Sequence, residues 1–128
     1  MKRVTGIGGI FFKAQDPKAL GEWYKKHLGI AVADWGGAAF VWSGPDNPSG
    51  TGTTIWSPFA ADTQYFSPGT ASFMINYRVA DLHALLAILR QEGVQVEDKT
   101  EDSEFGLFGW VIDPEGNKIE LWQPPTGQ

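Results

Sequence analysis

Residues 113–122 read Asp113-Pro114-Glu115-Gly116-Asn117-Lys118-Ile119-Glu120-Leu121-Trp122. The first five have the composition of a tight turn, and the β-rich run behind them predicts a strand at 118–122. An earlier segment, Thr54-Ile55-Trp56-Ser57-Pro58, matches Glu120-Leu121-Trp122-Gln123-Pro124 at a distance of about 65 residues. The shared Ile/Leu-Trp-x-Pro ending indicates that the chain contains a duplication.

A helix with the same start and stop signals lies in each half. Asp16-Pro17 supplies an N-cap and a proline at the first helical position, and Gly29 ends that helix. Asp81 supplies the N-cap and Gly93 the end of a second helix about 65 residues later. The pattern predicts one domain over residues 1–128, in which a strand–helix–strands unit occurs twice. Module one covers about 5–58 and module two about 70–124.

Alternation of apolar residues and turn signals place the remaining elements. The predicted strands are 6–13, 30–35, 38–42 and 53–56 in module one, and 71–79, 94–97, 107–112 and 118–122 in module two. Gly36-Gly37 is expected to turn a hairpin between 30–35 and 38–42. Residues 43–52 are expected to form a loop, and residues 57–70 to connect the modules.

Composition excludes several classes of partner. The chain has 128 residues, a formal net charge of -5 and no cysteine. Because it has no basic stripe, neither nucleic acid nor an anionic membrane is an expected partner. Without cysteine there is no disulfide, cysteine-bound zinc or thiol nucleophile. No apolar run approaches the roughly 20 residues that span a bilayer, and no signal-peptide pattern is present, so we expect a cytoplasmic protein.

The duplicated pattern resembles the vicinal oxygen chelate superfamily, which includes glyoxalase I, bleomycin- and fosfomycin-resistance proteins and extradiol dioxygenases. The resemblance rests on residues 113–122 and, in the first half, on Asp16-Pro17, Trp23-Tyr24 and Leu28-Gly29. It implies an α+β fold in which two βαβββ modules form curled mixed sheets around a small-molecule cavity, with a helix on each convex face. It also implies a homodimer, since relatives of this length usually dimerise.

The same resemblance implies where a metal would bind. Metal-dependent relatives place one ligand on the first strand and one on the last strand of each module. The corresponding residues here are Gly9, Thr54, Met74 and Glu120, of which only Glu120 matches. Because a divalent ion needs three or four fixed N, O or S ligands, we expect no metal cofactor. His27 and His83 lie on the predicted helices, away from the cavity.

Counting alternate side chains from these positions predicts the cavity face. Glu120 is the candidate catalytic residue, as a general base, with Lys13 and Arg78 as candidate cationic partners. Trp110, with Phe105, is expected at a flexible lip of the cavity. For Phe11, Trp56, Met74 and Trp122, plain core packing is the favoured interpretation. The predicted ligand-binding residues are Phe11, Lys13, Thr54, Trp56, Met74, Asn76, Arg78, Trp110 and Trp122.

Three functions are compatible with this pattern. The first is metal-independent binding of an aromatic or amphipathic small molecule, as in the drug-sequestering relatives. The second is a glyoxalase-like lyase, isomerase or epimerase that uses Glu120 for proton transfer. The third is an interaction module whose cavity is filled by its own aromatic residues, which a structure without a void between the sheets would favour.

Overall fold

The computed structural model describes residues 2–128, with no side-chain description at 49 and 50. Module one supplies β1 (Val4–Ala14), α1 (Pro17–Leu28), β2 (Ala38–Gly44) and β3 (Asn47–Ala60). Module two supplies β4 (Phe73–Val79), α2 (Leu82–Gln91), β5 (Gln95–Val96), β6 (Glu101–Ser103), β7 (Gly106–Ile112) and β8 (Lys118–Gln123). Within the described residues, no helix is long and apolar enough to cross a membrane.

The strands form one mixed eight-stranded sheet in the order β2-β3-β1-β4-β8-β7-β5, with β6 paired to β7. In each module the first strand pairs in parallel with the last, β1 with β3 and β4 with β8. The modules join through the antiparallel pair β1–β4. The expected α+β fold of curled mixed sheet is confirmed, and the two modules meet within a single chain.

Both helices begin and end where the sequence predicts. The carboxylates of Asp16 and Asp81 accept from the backbone N–H groups of Ala19 and Ala84, at 3.0 and 3.1 Å. Gly29 ends α1 in the left-handed region, with φ of 70°. After α2, Gly93 has φ of 83° and the N–H of the following residue donates to the carbonyl of Leu89. This pairing is a Schellman motif, which explains why a glycine follows the helix.

The larger aliphatic core lies on the convex side of module two. Leu82, Leu85 and Leu86 of α2 are almost fully buried. They pack against the sheet together with Val79, Val111 and Leu121. Removing these apolar side chains from water is the main stabilising contribution of this face.

The predicted strand at 30–35 is wrong. Ala33 N–H donates to the carbonyl of Gly37, and Gly36 N–H donates to the carbonyl of Ala33. The two glycines therefore close a tight turn on a short irregular segment, and Trp35 at its tip is 59 % exposed. Because the turn takes these backbone groups, no ladder to β2 forms there.

The predicted loop at 43–52 is also wrong over most of its length. β2 and β3 form an antiparallel hairpin that still pairs at Gly44 and Asn47. β3 then continues to Ala60, so the first part of the predicted 57–70 connection is strand. The prolines and glycines of this stretch are tolerated because the hairpin lies at the edge of the sheet. The three-residue strand β6 was not predicted.

Candidate functional site

A cavity of about 320 Å³ opens on the concave face of the sheet. We call it the concave cavity. Half of its lining residues are aromatic, namely Phe11, Phe59, Tyr65, Phe105, Phe108 and Trp122. The remaining lining residues are Gly8, Thr53, Ile55, Asn76, Glu120 and Gln128.

Two larger grooves, each about 540 Å³, run along α1. Their polar lining residues, such as Lys18, Glu22 and Lys25, are exposed side chains. Neither groove contains a buried polar group. The concave cavity is smaller but holds buried polar side chains, which makes it the better candidate for a functional site.

Glu120 is the central polar residue of the concave cavity and is 2 % exposed. Its Oε1 accepts from Asn76 Nδ2 at 2.7 Å. Its Oε2 accepts from Trp110 Nε1 at 2.9 Å and from the hydroxyl of Tyr65. Three neutral donors therefore satisfy a carboxylate that is removed from water.

The sheet register explains two of these three contacts. Asn76 on β4 and Trp110 on β7 are the residues paired with Glu120 on its two neighbouring strands. Paired residues on adjacent strands project to the same face, so both donors reach the carboxylate directly. Tyr65 comes instead from the connection between β3 and β4, which folds over the concave face.

Burial raises the pKa of Glu120, and the hydrogen bonds from Tyr65, Asn76 and Trp110 and the charge of Lys118 lower it in part. Burial, followed by the negative charge of Glu120, raises the pKa of Tyr65 well above its usual range. Tyr65 is therefore a neutral O–H donor over the whole physiological range. Glu120 is a carboxylate whose charged form is disfavoured by desolvation.

Lys118 lies behind two of these donors. Its Nζ donates to the carbonyl of Tyr65 at 2.9 Å and lies 3.7 Å from Oε1 of Glu97. It also lies over the rings of Tyr65 and Trp110, at 5.5 and 5.3 Å from their centroids. Lys118 thus holds the Tyr65 segment against β8 while its own charge is paired outside the cavity.

Neither predicted cationic partner contacts Glu120, so that prediction is wrong. The guanidinium of Arg78 lies between the rings of Trp42 and Trp122, 5.3 Å from each centroid. It donates to the carbonyl of Thr53 at 3.3 Å and to the carbonyl of Gln128. Burial lowers the pKa of Arg78.

Lys13, the other candidate, has its Nζ 5.7 Å from the ring centroid of Phe66 and does not line the cavity. Met74 also lies behind the wall. It is fully buried in a cluster with Phe11, Phe66 and Trp110. Trp110 is 3 % exposed and belongs to the same buried cluster behind the wall, so the predicted flexible lip at this residue is wrong.

The predicted face of β3 is wrong by one residue. Thr54 accepts from Trp42 Nε1 at 2.8 Å and donates to the carbonyl of Ile7. Trp56 packs against Phe12 and Tyr24 on the helix side. The cavity-facing residues of β3 are instead Thr53, Ile55 and Phe59.

The cause is a shift of one residue between the last strands of the two modules, β3 and β8. Ile55 pairs with Gly9 as Glu120 pairs with Asn76, whereas the shared Trp-x-Pro ending aligned Glu120 with Thr54. Since side chains alternate along a strand, a slip of one residue reverses the face.

Several lining residues were missed from the sequence. Phe108 lies two residues before Trp110, and alternation along β7 could have found it. Gly8 lies within a bulge in β1, where a Cβ would lie 2.2 Å from Asn76 Oδ1. Tyr65 and Phe59 carry no signal in the sequence, because their segments were assigned to a connection.

The residues of the site do not fit a divalent metal ion. The carboxylate of Glu120 already accepts hydrogen bonds from three protein donors, so it has room for at most one further contact. Gly9 has no side chain, Ile55 beside it is apolar, and the thioether of Met74 is buried among rings. Within residues 2–128, no three His, Cys, Asp or Glu side chains are grouped to hold an ion.

The concave cavity in a duplicated, curled mixed sheet defines a glyoxalase-like protein. Residues 9–122 match the family model of the glyoxalase-like domain, and the chain belongs to that family. No curated protein matches the sequence.

Solved structures share the fold at low identity. Methylmalonyl-CoA epimerase from Mycobacterium tuberculosis is 20 % identical with a TM-score of 0.63, over 98 % of this chain and 91 % of that chain. The Streptomyces coelicolor methylmalonyl-CoA epimerase, solved with 2-nitronate-propionyl-CoA, is 19 % identical with a TM-score of 0.70, over 96 % and 99 %. A glyoxalase/bleomycin resistance protein/dioxygenase superfamily member from Vibrio splendidus is 13 % identical with a TM-score of 0.59, over 91 % and 97 %.

Proposed function

We propose that this protein binds an aromatic or amphipathic small molecule in the concave cavity without a metal ion. The observation that carries the proposal is an aromatic-walled cavity of about 320 Å³ with one buried carboxylate at its floor. Ligand sites are typically concave, mostly apolar and equipped with a few fixed polar groups. The void also weighs against the interaction module, whose own rings would fill the space.

The hydrogen-bond donors around Glu120 support metal independence. Tyr65, Asn76 and Trp110 already occupy three acceptor positions of the carboxylate, so it could offer a divalent ion at most one further contact, whereas such an ion needs several ligands. A stoichiometric divalent metal in the purified protein, measured by elemental analysis, would overturn this part of the proposal.

Binding is testable with N-phenyl-naphthylamine, a neutral aromatic dye that fluoresces in apolar sites. Ile55→Trp replaces an aliphatic side chain that lines the cavity with a larger indole ring, whereas Val41→Trp adds the same ring at a position that is 69 % exposed. We expect Ile55→Trp to weaken dye binding by about tenfold or more, the loss of roughly 1.4 kcal/mol. Val41→Trp should leave affinity within about twofold. Equal affinity in the two variants would show that the dye binds elsewhere.

A second candidate function is proton transfer by Glu120, as in an epimerase or a glyoxalase-like lyase. Two observations favour it, the burial that raises the pKa of Glu120 and the fold shared with methylmalonyl-CoA epimerases. The three donors act against it, because they stabilise the carboxylate and make it a weaker base.

The discriminating measurement follows racemisation of methylmalonyl-CoA and turnover of a hemithioacetal. An enzyme that uses Glu120 loses activity in Glu120→Gln and keeps it in Glu115→Gln, a substitution in the exposed 113–117 turn. Unchanged turnover in Glu120→Gln rules out the assigned role. Absence of turnover in the wild type leaves ligand binding as the function.

We also propose that the chain forms a homodimer. Ile7, Ile10 and Phe73 lie on the helix side of β1 and β4 and are each at least 40 % exposed. Clustered apolar residues on a protein surface often mark an interface. Sedimentation equilibrium should give twice the chain mass, and Ile10→Glu should return the monomer. A monomeric wild type at high concentration would contradict this.

A further inference from the structure

We infer that the concave cavity selects a ligand with a flat aromatic body and a cationic head, which pairs with Glu120. The inference rests on the proposed binding function and adds the chemical class of the ligand. Shape alone would admit neutral and anionic aromatics equally, so the charge distribution of the cavity decides the class.

Glu120 carries the one charged side chain among the residues that line the concave cavity in the described part of the chain. The two nearest cations are engaged elsewhere. Lys118 Nζ is paired with the Tyr65 carbonyl and Glu97, and the Arg78 guanidinium is held between two indole rings by carbonyl acceptors. An anionic ligand would therefore lose its hydration without gaining a counter-ion, which is strongly unfavourable.

Glu120, by contrast, would be stabilised by a cationic ligand. Its three partners are neutral groups, and no cation in residues 2–128 lies within ion-pair distance of it. A buried carboxylate without a cationic partner is costly, and a ligand cation would offset that cost.

An acceptor position remains on one oxygen. Oε2 accepts from two donors, Trp110 and Tyr65, whereas Oε1 accepts only from Asn76. A carboxylate can accept about four hydrogen bonds, so Oε1 can take a further N–H donor. A ligand cation with N–H groups satisfies both the charge and this acceptor.

The walls favour the same class. The rings of Phe11, Phe59, Phe108 and Trp122 surround the cavity, and aromatic faces attract cations through their quadrupoles. The formal net charge of -5 adds a long-range attraction for cations.

The test uses three probes of one shape, β-naphthamidine, β-naphthamide and β-naphthoate, in isothermal titration calorimetry with the wild-type protein. They carry a positive, a neutral and a negative head on the same ring system. We expect the amidine to bind at least about tenfold more tightly than the amide, and the carboxylate to bind most weakly. Equal or tighter binding of the carboxylate would overturn the inference.

Glu120→Gln removes the charge at nearly constant shape, with Glu115→Gln as the matched control outside the cavity. The amidine and the amide should bind Glu120→Gln within about threefold of each other, while Glu115→Gln keeps the wild-type preference. A preference for the amidine that survives in Glu120→Gln would overturn the inference.

The pH dependence of the wild type gives a second readout that does not need a folded variant. The titratable groups that face Glu120 are Tyr65, whose raised pKa keeps it neutral, and Lys118. Amidine affinity should fall as the pH is lowered and Glu120 takes up a proton, while amide affinity changes little. A pH-independent amidine affinity would contradict the pairing.

The outcomes separate this inference from the proposed function. If none of the three probes nor the neutral dye binds, ligand binding itself fails. If the amide and the carboxylate bind as tightly as the amidine, the cavity binds aromatics but does not select cations, and only this inference fails.

Discussion

Module one and module two share a plan but differ in what they bury. Both helices start at an aspartate cap and end at a glycine, and in both modules the first strand pairs in parallel with the last. α2 buries three leucines against the sheet, whereas the buried residue of α1 is Gly21. Trp23 and Leu28 of α1 are 51 % and 62 % exposed. The same helix-capping signals therefore occur in module two, whose helix is tightly packed, and in module one, whose helix is loosely packed.

The site is divided in the same way. Module two supplies Asn76, Trp110 and Glu120, the buried polar group of the concave cavity. Module one supplies apolar wall, including Phe11 and Ile55. The two modules therefore share the parallel pairing of first and last strands, whereas the buried polar side chains around Glu120 on the sheet lie in module two.

The largest expected difference between the modules is in core packing. Leu86→Ala removes a fully packed side chain under α2 and should lower the free energy of unfolding by about 3 kcal/mol. Leu20→Ala, in the half-buried face of α1, should lower it by about 1 kcal/mol because less buried apolar area is lost. Urea denaturation of the two variants measures both values. Equal losses would show that α1 packs as tightly as α2.

A smaller effect is expected from the tryptophans of the two modules. Trp110→Phe removes an N–H donor from buried Glu120 and should destabilise the fold by about 2 kcal/mol at neutral pH. Trp56→Phe keeps a ring against Phe12 and Tyr24 and should cost about 1 kcal/mol. Equilibrium unfolding gives both numbers. If the ranking is reversed, the hydrogen bond to Glu120 contributes little.

The pH dependence of stability should also separate the modules. The pKa of Glu120 is raised in the folded protein, so above the usual Glu pKa the folded state binds more protons than the unfolded chain. The stability that Glu120 contributes is therefore lost as the pH rises from the usual Glu pKa through the raised pKa of Glu120 in the folded protein. Each tenfold difference in proton affinity between the two states corresponds to about 1.4 kcal/mol.

The measurement is urea unfolding of the wild type and of Glu120→Gln at a series of pH values above the usual Glu pKa. The stability of the wild type relative to the variant should decrease as the pH rises. The pKa values of Glu92 and Asp113 are lowered by their hydrogen bonds to Arg3 and Asn117, so they act in the opposite direction at lower pH. Both groups are present in each protein and cancel in the difference. A difference that is independent of pH would contradict a raised pKa for Glu120.

The smallest effect is expected at the helix caps. Asp81→Ala should lower the global free energy of unfolding by about 1 kcal/mol, the typical value of a lost N-cap. Asp16→Ala should mainly reduce amide protection within α1, because a loosely packed helix can open without unfolding the core. Hydrogen exchange distinguishes these outcomes. Equal global effects would mean that α1 unfolds only with the whole protein.

Much of the fold was predictable because local signals and global structure agree. The caps at Asp16 and Asp81 and the stops at Gly29 and Gly93 set both helices, and alternation found β4, β7 and β8. The strand prediction for residues 30–35 was wrong because a short apolar run forms a strand only when a neighbouring strand pairs with it. The backbone groups of Ala33 instead form hydrogen bonds with Gly36 and Gly37 in a tight turn. β3 was underestimated because the prolines and glycines that otherwise indicate a loop lie in its two end portions, where the strand pairs on one side only.

The site was predictable in part. Glu120, Asn76, Phe11 and Trp122 were found on the cavity face by alternation, and their binding roles stay predictions. The predicted absence of a metal, the homodimer and the cytoplasmic location also stay predictions. Lys13, Thr54 and Trp56 failed because a face assignment is sensitive to a slip of one residue and to the direction of a long side chain.

The amino-acid sequence by itself determined the duplication, the helix ends and the presence of one carboxylate among rings. These features depend on residues close together in the chain, where capping, turn geometry and alternation act. Only the tertiary structure decided that Tyr65 folds over the cavity to reach Glu120, that Arg78 lies between Trp42 and Trp122, and that Ile55 rather than Thr54 faces the concave cavity. These contacts join distant segments, and they depend on strand register and loop direction, which no local pattern encodes.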